Sequence, residues 1–308
     1  MIRSLLPGRL LRPQRGSLPR VARDVARGFR GAERQPATVQ AARRLNLACG
    51  TLALSVLLDS GLEHYRGAYR RKLMYVPPLA AALTILASAH GRGDARPAAH
   101  RARQALYLGT AATGITGTAF HLYNILKRPG GLAWQNVFYG APFAAPLAIL
   151  LAGLLGAAAE EVRHTRHGEI PQVLGLPAGR VLAAVTALGL AGSSVEAGVL
   201  HFRGAYHNPA MFAPVTIPPA AAALLVGTAR RSVHHRSRLL RAWMRLTAVV
   251  GMLGAAFHVF GVQRNMGGWR NWSQNLLNGP PIPAPPAFTG LALAGLAAIG
   301  LLKEHPDA

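Results

Sequence analysis

The sequence predicts an all-α integral membrane protein of eight transmembrane helices, arranged as two four-helix bundles related by a parallel repeat. The first observation behind this prediction is composition. The 308 residues are 51% hydrophobic and only 15% charged, with a mean hydropathy of +0.22. The second is that the apolar residues gather into eight long segments, and the third is that the chain repeats two motifs.

Each apolar segment is roughly 16 to 22 residues long, which suffices to cross the hydrocarbon core of a bilayer. A soluble domain of this length would not place so many such segments in series. Helices satisfy their own backbone hydrogen bonds, so no strand is expected within the membrane. The eight predicted spans cover residues 45–62, 73–90, 104–125, 142–159, 181–200, 210–228, 243–261 and 284–302.

Two motifs occur twice, and the two copies are offset by 137 residues. The motif HYRGAY at 64–69 returns as HFRGAY at 201–206, and FHLY at 120–123 returns as FHVF at 257–260. Each copy therefore spans four apolar segments. Because four is an even number, both copies would insert in the same direction, which predicts a pseudo-two-fold axis along the membrane normal.

The distribution of charge predicts topology and domain limits. The net charge is +23, and Lys and Arg are concentrated on one predicted side, which the positive-inside rule assigns to the cytoplasm. We therefore expect an integral protein of the bacterial inner membrane with both termini cytoplasmic. Residues 1–44 are predicted to be a basic, mostly disordered tail, 45–161 the first membrane unit, 162–180 a linker and 181–303 the second unit.

The basic excess is interpreted as topology and attraction to anionic lipid, so nucleic acid is not predicted as a partner. An Arg-rich, acid-poor amino terminus is also typical of a transit peptide, and this alternative stays open. The single Cys49 excludes an internal disulfide and Cys-rich metal sites. The chain has no nucleophile triad, phosphate loop, HExxH or GxGxxG motif, so the balance is against an enzyme.

The repeat places four histidines at equivalent positions, near the ends of the first and third helix of each unit. Those two helices run in the same direction and lie diagonally in an up-down bundle. The predicted pairs therefore face each other near the outer surface, where two imidazoles can bind a haem iron axially. The sequence thus predicts haem b between each of two pairs, His64 with His121 and His201 with His258.

Nearby residues fit the same hypothesis. Gly114 and Gly117 share the helix face of His121, so the missing side chains would leave room for a flat macrocycle. Arg66 and Arg203 lie just beyond the histidines, where haem propionates would need cations. Duplicated four-helix halves with paired histidines resemble the architecture of membrane haem proteins such as haem A synthase, but that family's local motifs are not found.

Structural alternatives remain open for these residues. Small residues on one face are the ordinary packing device of membrane helices, and an interfacial histidine can simply hydrogen-bond a loop carbonyl. The paired loops that contain Gln135-Asn136 and Gln274-Asn275 are predicted to fold back over the bundle mouth. Their amides would either hold loop carbonyls or bind a polar ligand.

Three function classes follow from these residues. The first is a haem-binding redox protein, for example the anchor of a periplasmic dehydrogenase, with quinone or a periplasmic redox protein as its partner. The second is a transporter whose path uses the intramembrane acids Asp59 and Glu196, although ion pairs with Arg66 or Arg203 would also explain these acids. The third is a structural or assembly subunit without a cofactor.

Overall fold

The computed structural model of this protein describes residues 37–140, 142, 145–166, 169–230 and 237–303, and over these ranges the chain is almost entirely helical. Helix makes up 81% of the structure, in ten α-helices. The β-structure of the described ranges is a single antiparallel hairpin, β1 (Gln172–Val173) and β2 (Leu176–Pro177). The all-α prediction is therefore confirmed.

The helices follow the predicted apolar segments closely. Short 3₁₀ turns at Lys72–Tyr75, Pro209–Phe212 and Gly268–Asn271 precede three of them. In chain order the helices are α1 (Ala37–Arg66), α2 (Val76–Gly93), α3 (Arg101–Leu126), α4 (Trp134–Tyr139), α5 (Ala145–Arg163), α6 (Ala178–Arg203), α7 (Ala213–Arg230), α8 (Ser237–Arg264), α9 (Trp272–Asn278) and α10 (Pro286–Leu302).

Among the described residues, six helices are long and apolar enough to cross a membrane, namely α1, α2, α5, α6, α7 and α8. They indicate an integral, multi-pass membrane protein. Helix α10 is apolar but has only 17 residues. Helix α3 is long enough, with 26 residues, but its Arg, Gln, Thr and Gly residues lower its hydropathy.

The helices pack as two rings of four. In the first ring α1 contacts α2 and α5, and α3 completes the ring through contacts with α2 and α5; the second ring joins α6, α7, α8 and α10 in the same way. Between the rings, α1 packs extensively on α10, whereas α5 touches α6 only lightly. The apolar core runs through both rings and includes Leu45, Leu52, Leu182 and Leu291.

Two predicted boundaries differ from the structure. Residues 37–44, predicted as part of a disordered tail, form the first turns of α1, because Val39, Ala41 and Ala42 are buried in the core. The rest of the predicted tail, 1–36, lies outside the described residues. The predicted linker 162–180 is shorter, since α5 extends to Arg163 and α6 begins at Ala178.

Glycines set the distance between helices in both rings. A Cβ added to Gly114 of α3 would lie 2.7 Å from the Cα of Leu150 on α5, and one added to Gly251 of α8 would lie 2.8 Å from the backbone nitrogen of Thr289 on α10. Gly117 and Gly254 face Pro146 and Pro285 in the same way. Small residues thus bring the helix backbones together.

We expect Gly114→Ala to destabilise the protein. The new methyl group overlaps the backbone of α5, and overpacking of this kind costs about 1 to 3 kcal/mol. The matched control is Gly109→Ala on the same helix, where an added Cβ meets nothing within 4 Å. Denaturation of both variants in detergent micelles checks the prediction, and an equal stability of the two variants would contradict it.

Candidate functional site

The turn that follows His64 is the same as the turn that follows His201. Ala68 and Tyr69 adopt positive φ angles of 56° and 45°, and Ala205 and Tyr206 adopt 55° and 45°. Such angles are uncommon for residues other than glycine. Each tyrosine folds back on its helix, where its hydroxyl donates to the carbonyl of Gly61 or Gly198 at 3.2 Å. The chain is therefore reversed tightly beside each histidine.

All four predicted histidines use Nδ1 to hydrogen-bond a backbone carbonyl that precedes the next long helix. The acceptors are Met74 O for His64 at 2.6 Å, Pro142 O for His121 at 2.9 Å, Met211 O for His201 at 2.9 Å and Pro281 O for His258 at 2.7 Å. A carbonyl only accepts, so each Nδ1 carries the hydrogen. Each ring then presents an unprotonated Nε2.

Prolines reduce the number of backbone donors available to these four carbonyls. A helical carbonyl accepts from the N–H three or four residues later, and proline has no N–H. Pro77 and Pro78 remove both such donors from Met74 O, so His64 replaces them. At the other three carbonyls one proline removes one donor, namely Pro146 for Pro142 O, Pro214 for Met211 O and Pro285 for Pro281 O. Pro142 O and Pro281 O still accept from backbone N–H groups, at 3.3 and 3.2 Å, and there the histidine adds a second bond.

The members of each predicted histidine pair lie in the same part of the molecule, and their joint binding of a haem stays a prediction. His64 and His121 lie close enough to interact electrostatically, and so do His201 and His258. All four are partly buried. They lie at one end of the molecule, which we call the histidine end, because α1, α3, α6 and α8 all terminate there. No group of three or more His, Cys, Asp or Glu side chains in the described ranges has metal-site geometry, but axial haem ligation requires only two.

The fit of these residues to haem is partial. The donor set fits, because Nε2 ligation with Nδ1–H bonded to a carbonyl is the usual arrangement of a metal-bound histidine. The glycines do not supply the predicted space. Gly114 and Gly117 pack against α5, where an added Cβ would lie 3.0 Å or less from Leu150 or Pro146. For these two glycines the close-packing alternative is the correct one.

The two predicted propionate partners already contact the protein. Arg66 forms an ion pair with Glu63 and donates to the carbonyl of Leu276 at 3.2 Å. The guanidinium of Arg203 lies 4.8 Å from the ring centroid of Phe138. The contacts of Arg66 with Leu276 and of Arg203 with Phe138 join the two halves. Leu276 lies in α9, which follows the third span of the second unit, and Phe138 lies in α4, which follows the third span of the first unit. A role of Arg66 and Arg203 toward a cofactor stays a prediction.

The asparagines of the two long loops do hold carbonyls. Asn136 Nδ2 donates to Pro129 O and Gly131 O, both at 2.9 Å. Asn275 Nδ2 donates to Met266 O at 3.2 Å and Gly268 O at 2.9 Å. These bonds fix α4 and α9 in place over the histidine end. Binding of a polar ligand is not needed to explain the two asparagines.

The two predicted intramembrane acids approach each other. The Asp59 carboxylate, on α1, acts electrostatically on Glu196, on α6. Neither acid has a hydrogen bond or an ion pair with any residue that the structure describes, so the predicted ion pairs with Arg66 and Arg203 do not form there. Arg66 acts electrostatically on Asp59 without forming a direct ion pair, and buried carboxylates with so little compensation are costly in an apolar environment.

Sequence reasoning missed a buried charge network at the opposite end, which we call the arginine end. Arg103 donates to both carboxylate oxygens of Glu160, at 2.8 and 2.9 Å, and to Asp94 at 3.0 Å. Arg163 is fully buried and donates to the carbonyls of Gly91 and Asp94, at 2.7 and 2.6 Å. The sequence did contain one signal, because acids and arginines lie at the end of α2, the start of α3 and the end of α5.

Asp94 is held as a carboxylate. Its hydrogen bonds from Arg96, and then from Arg103, lower its pKa far below the usual range, although burial opposes this. A depressed pKa in the folded state means that Asp94 contributes to stability at neutral pH. That contribution is lost as the pH falls through the depressed pKa.

Comparison with known protein-family models, curated proteins and solved structures found no match to this chain.

We expect the contribution of the His64–Met74 hydrogen bond to the free energy of unfolding to depend on Pro78. His64→Ala leaves Met74 O without a partner, at a cost of about 1 to 3 kcal/mol. Pro78→Ala supplies a backbone N–H at the position that can reach this carbonyl. In a double-mutant cycle, His64→Ala should therefore cost less in the Pro78→Ala background. Strictly additive losses of unfolding free energy would show that the two groups do not share this acceptor.

At the arginine end, Glu160→Gln should be strongly destabilising. It leaves the buried Arg103 with an incomplete partner set, and breaking a buried ion pair costs about 3 to 5 kcal/mol. The neighbouring Glu161 is partly exposed and accepts from Leu174 N, so Glu161→Gln is the matched control with a small effect. Thermal denaturation in detergent separates the two, and similar melting temperatures would refute a structural role for the network.

Proposed function

We propose that the chain crosses the membrane eight times, as two parallel-repeat four-helix bundles. The six long apolar helices, the apolar α10 and the 26-residue α3 supply the eight spans. The matching turns at Tyr69 and Tyr206 and the matching glycine contacts support a duplication. The distribution of Lys and Arg favours cytoplasmic termini and a histidine end that faces outward.

We further propose that the histidine pairs hold haem b and that the protein transfers electrons at the outer face of the bacterial inner membrane. The observation that carries this proposal is the common hydrogen bond of the four rings, from Nδ1 to a carbonyl, which in the neutral ring leaves Nε2 with a lone pair. A purely structural histidine needs only the Nδ1 bond. It does not require a second such ring within electrostatic reach, as His64 has in His121 and His258 has in His201.

The residues of the chain would act as ligands and positioning groups. Nε2 of His64 and His121, and of His201 and His258, would hold the iron. The Nδ1–H···O=C bonds fix the orientation of each ring and raise the basicity of Nε2. When bound, haem supplies a one-electron couple, and its potential depends on these ligands and on burial.

The position of both pairs limits what the protein can do. Both lie at one end, so they are not stacked along the membrane normal and do not form a relay across the bilayer. Exchange of electrons at the outer face is the function that fits, with quinone or a periplasmic redox protein as the partner. An anchor subunit of a periplasmic dehydrogenase would work in this way.

The purified full-length protein, supplied with haem during expression, should show a Soret band and a stoichiometry of two haems per chain. His121→Ala should remove about half of the bound haem, because one of two pairs loses a ligand. The matched control is His207→Ala, since His207 lies at the same end and donates to Gly204 O but has no partner ring. It should keep the full haem content.

Two results would overturn the haem proposal: a wild-type protein without a Soret band, or full haem content in all four single His→Ala variants. In either case the transporter becomes the better candidate. The observation that favours it is the electrostatic interaction of Asp59 with Glu196 between the halves, with no direct ion pair from either acid to a described residue. Such a pair can bind and release a proton or a metal cation along a path between the two units.

A further inference from the structure

A shallow groove of about 270 Å³ lies between α2 and α3 at the arginine end. Leu83, Leu86 and Ala87 line it from α2, and Leu106 lines it from α3. Its walls are almost wholly apolar, and Leu86 is 67% exposed. In a chain that spans a bilayer, an open apolar groove on the outside of the helix bundle faces the acyl chains.

The polar end of the groove is formed by two imidazoles. His90 is in the last turn of α2, and His100 is the N-cap of α3. Their rings meet edge to face, with centroids 5.4 Å apart. The groove therefore runs from a polar end at the helix termini to an apolar end at Leu83. Leu83 lies seven residues before His90 on α2, which places it about 10 Å further along the helix.

These two rings have the opposite tautomer to the four at the histidine end. The backbone N–H of Arg103 donates to His100 Nδ1 at 3.4 Å, and Nη1 of Arg103 lies 3.5 Å from His90 Nδ1. Both groups of Arg103 are donors only, so each Nδ1 is an acceptor. In the neutral rings the hydrogen is then on Nε2. Each of the two imidazoles that line the groove thus carries one N–H donor.

The charge around this polar end is positive. Arg92 and Arg101 follow the two histidines in sequence and are exposed. The acids of the same region, Asp94 and Glu160, are buried and already bonded to Arg103 and Arg96. An anionic acceptor would therefore meet two N–H donors and exposed arginines, and an apolar tail attached to it would lie along Leu86 and Leu83.

We propose that this groove binds one anionic phospholipid, with its phosphate at His90 and His100 and one acyl chain along the leucines of α2. The combination of two donors, excess positive charge and an apolar groove matches this ligand better than a neutral lipid. Basic pockets between transmembrane helices bind anionic head groups for the same reasons. The site does not depend on the haem proposal, because it lies at the other end of the molecule.

Native mass spectrometry of the full-length protein, titrated with phosphatidylglycerol or phosphatidylcholine, tests this proposal. Wild-type protein should retain one tightly bound phosphatidylglycerol and bind phosphatidylcholine more weakly. His90→Leu removes one donor, and His100→Asn replaces the second ring while keeping an N-cap for α3. Each should lower the affinity for phosphatidylglycerol about tenfold, as expected for the loss of a hydrogen bond to a charged group.

Two further variants separate the groove from general effects. Leu86→Trp crowds an exposed position of the groove without touching the buried core, and should also weaken retention. His164→Leu removes an exposed histidine at the same end of the molecule but outside the groove, and should change nothing. Equal retention of the two lipids, unchanged affinity in His90→Leu and His100→Asn, or a bound quinone in place of the phospholipid would overturn the proposal.

Discussion

The structure is organised around one recurring interaction, in which a histidine at the end of one helix bonds to a carbonyl at the proline-containing start of another. Proline removes one or both of the helical donors of that carbonyl, and an unpaired buried carbonyl costs about 1 to 3 kcal/mol. At Met74 O both donors are lost and His64 replaces them, whereas Pro142 O and Pro281 O keep one backbone donor and the histidine adds a second bond. The bond joins the end of one helix to the start of another, so it also sets the spacing of the helices around the histidine end.

The same residue type has opposite chemistry at the two ends of the molecule. At the histidine end the partner of Nδ1 is a carbonyl, which leaves Nε2 as a lone pair suited to a metal. At the arginine end the partner of Nδ1 is an N–H of Arg103, which leaves Nε2 as a donor suited to an anion. The hydrogen-bond partner of Nδ1 therefore distinguishes a histidine that could bind a metal from one that could bind an anion. The position of the histidine in the sequence does not.

The sequence predicts the helices well because hydrophobic length is a local property. The pairing of His64 with His121 depends on the 137-residue offset and stays a prediction. It failed where the decisive contact is non-local. Residues 37–44 look like a basic tail, but the core buries Val39 and Ala42. Gly114 shares a helix face with His121, yet its free space is taken by Leu150 of another helix. Arg103 and Glu160 are 57 residues apart, and their positions at helix ends do not by themselves indicate which residues meet.

The two halves are neither identical nor independent. The first half carries the buried charge network, whereas the second has Leu240 and Met244 at the positions equivalent to Arg103 and Tyr107. The histidine end is shared instead, because Arg66 of the first half bonds to Leu276 in the loop of the second and Arg203 of the second stacks on Phe138 in the loop of the first. A loop of each half thus contacts the end of the first histidine-bearing helix of the other half. This exchange of loops joins the two predicted histidine pairs within one structural unit.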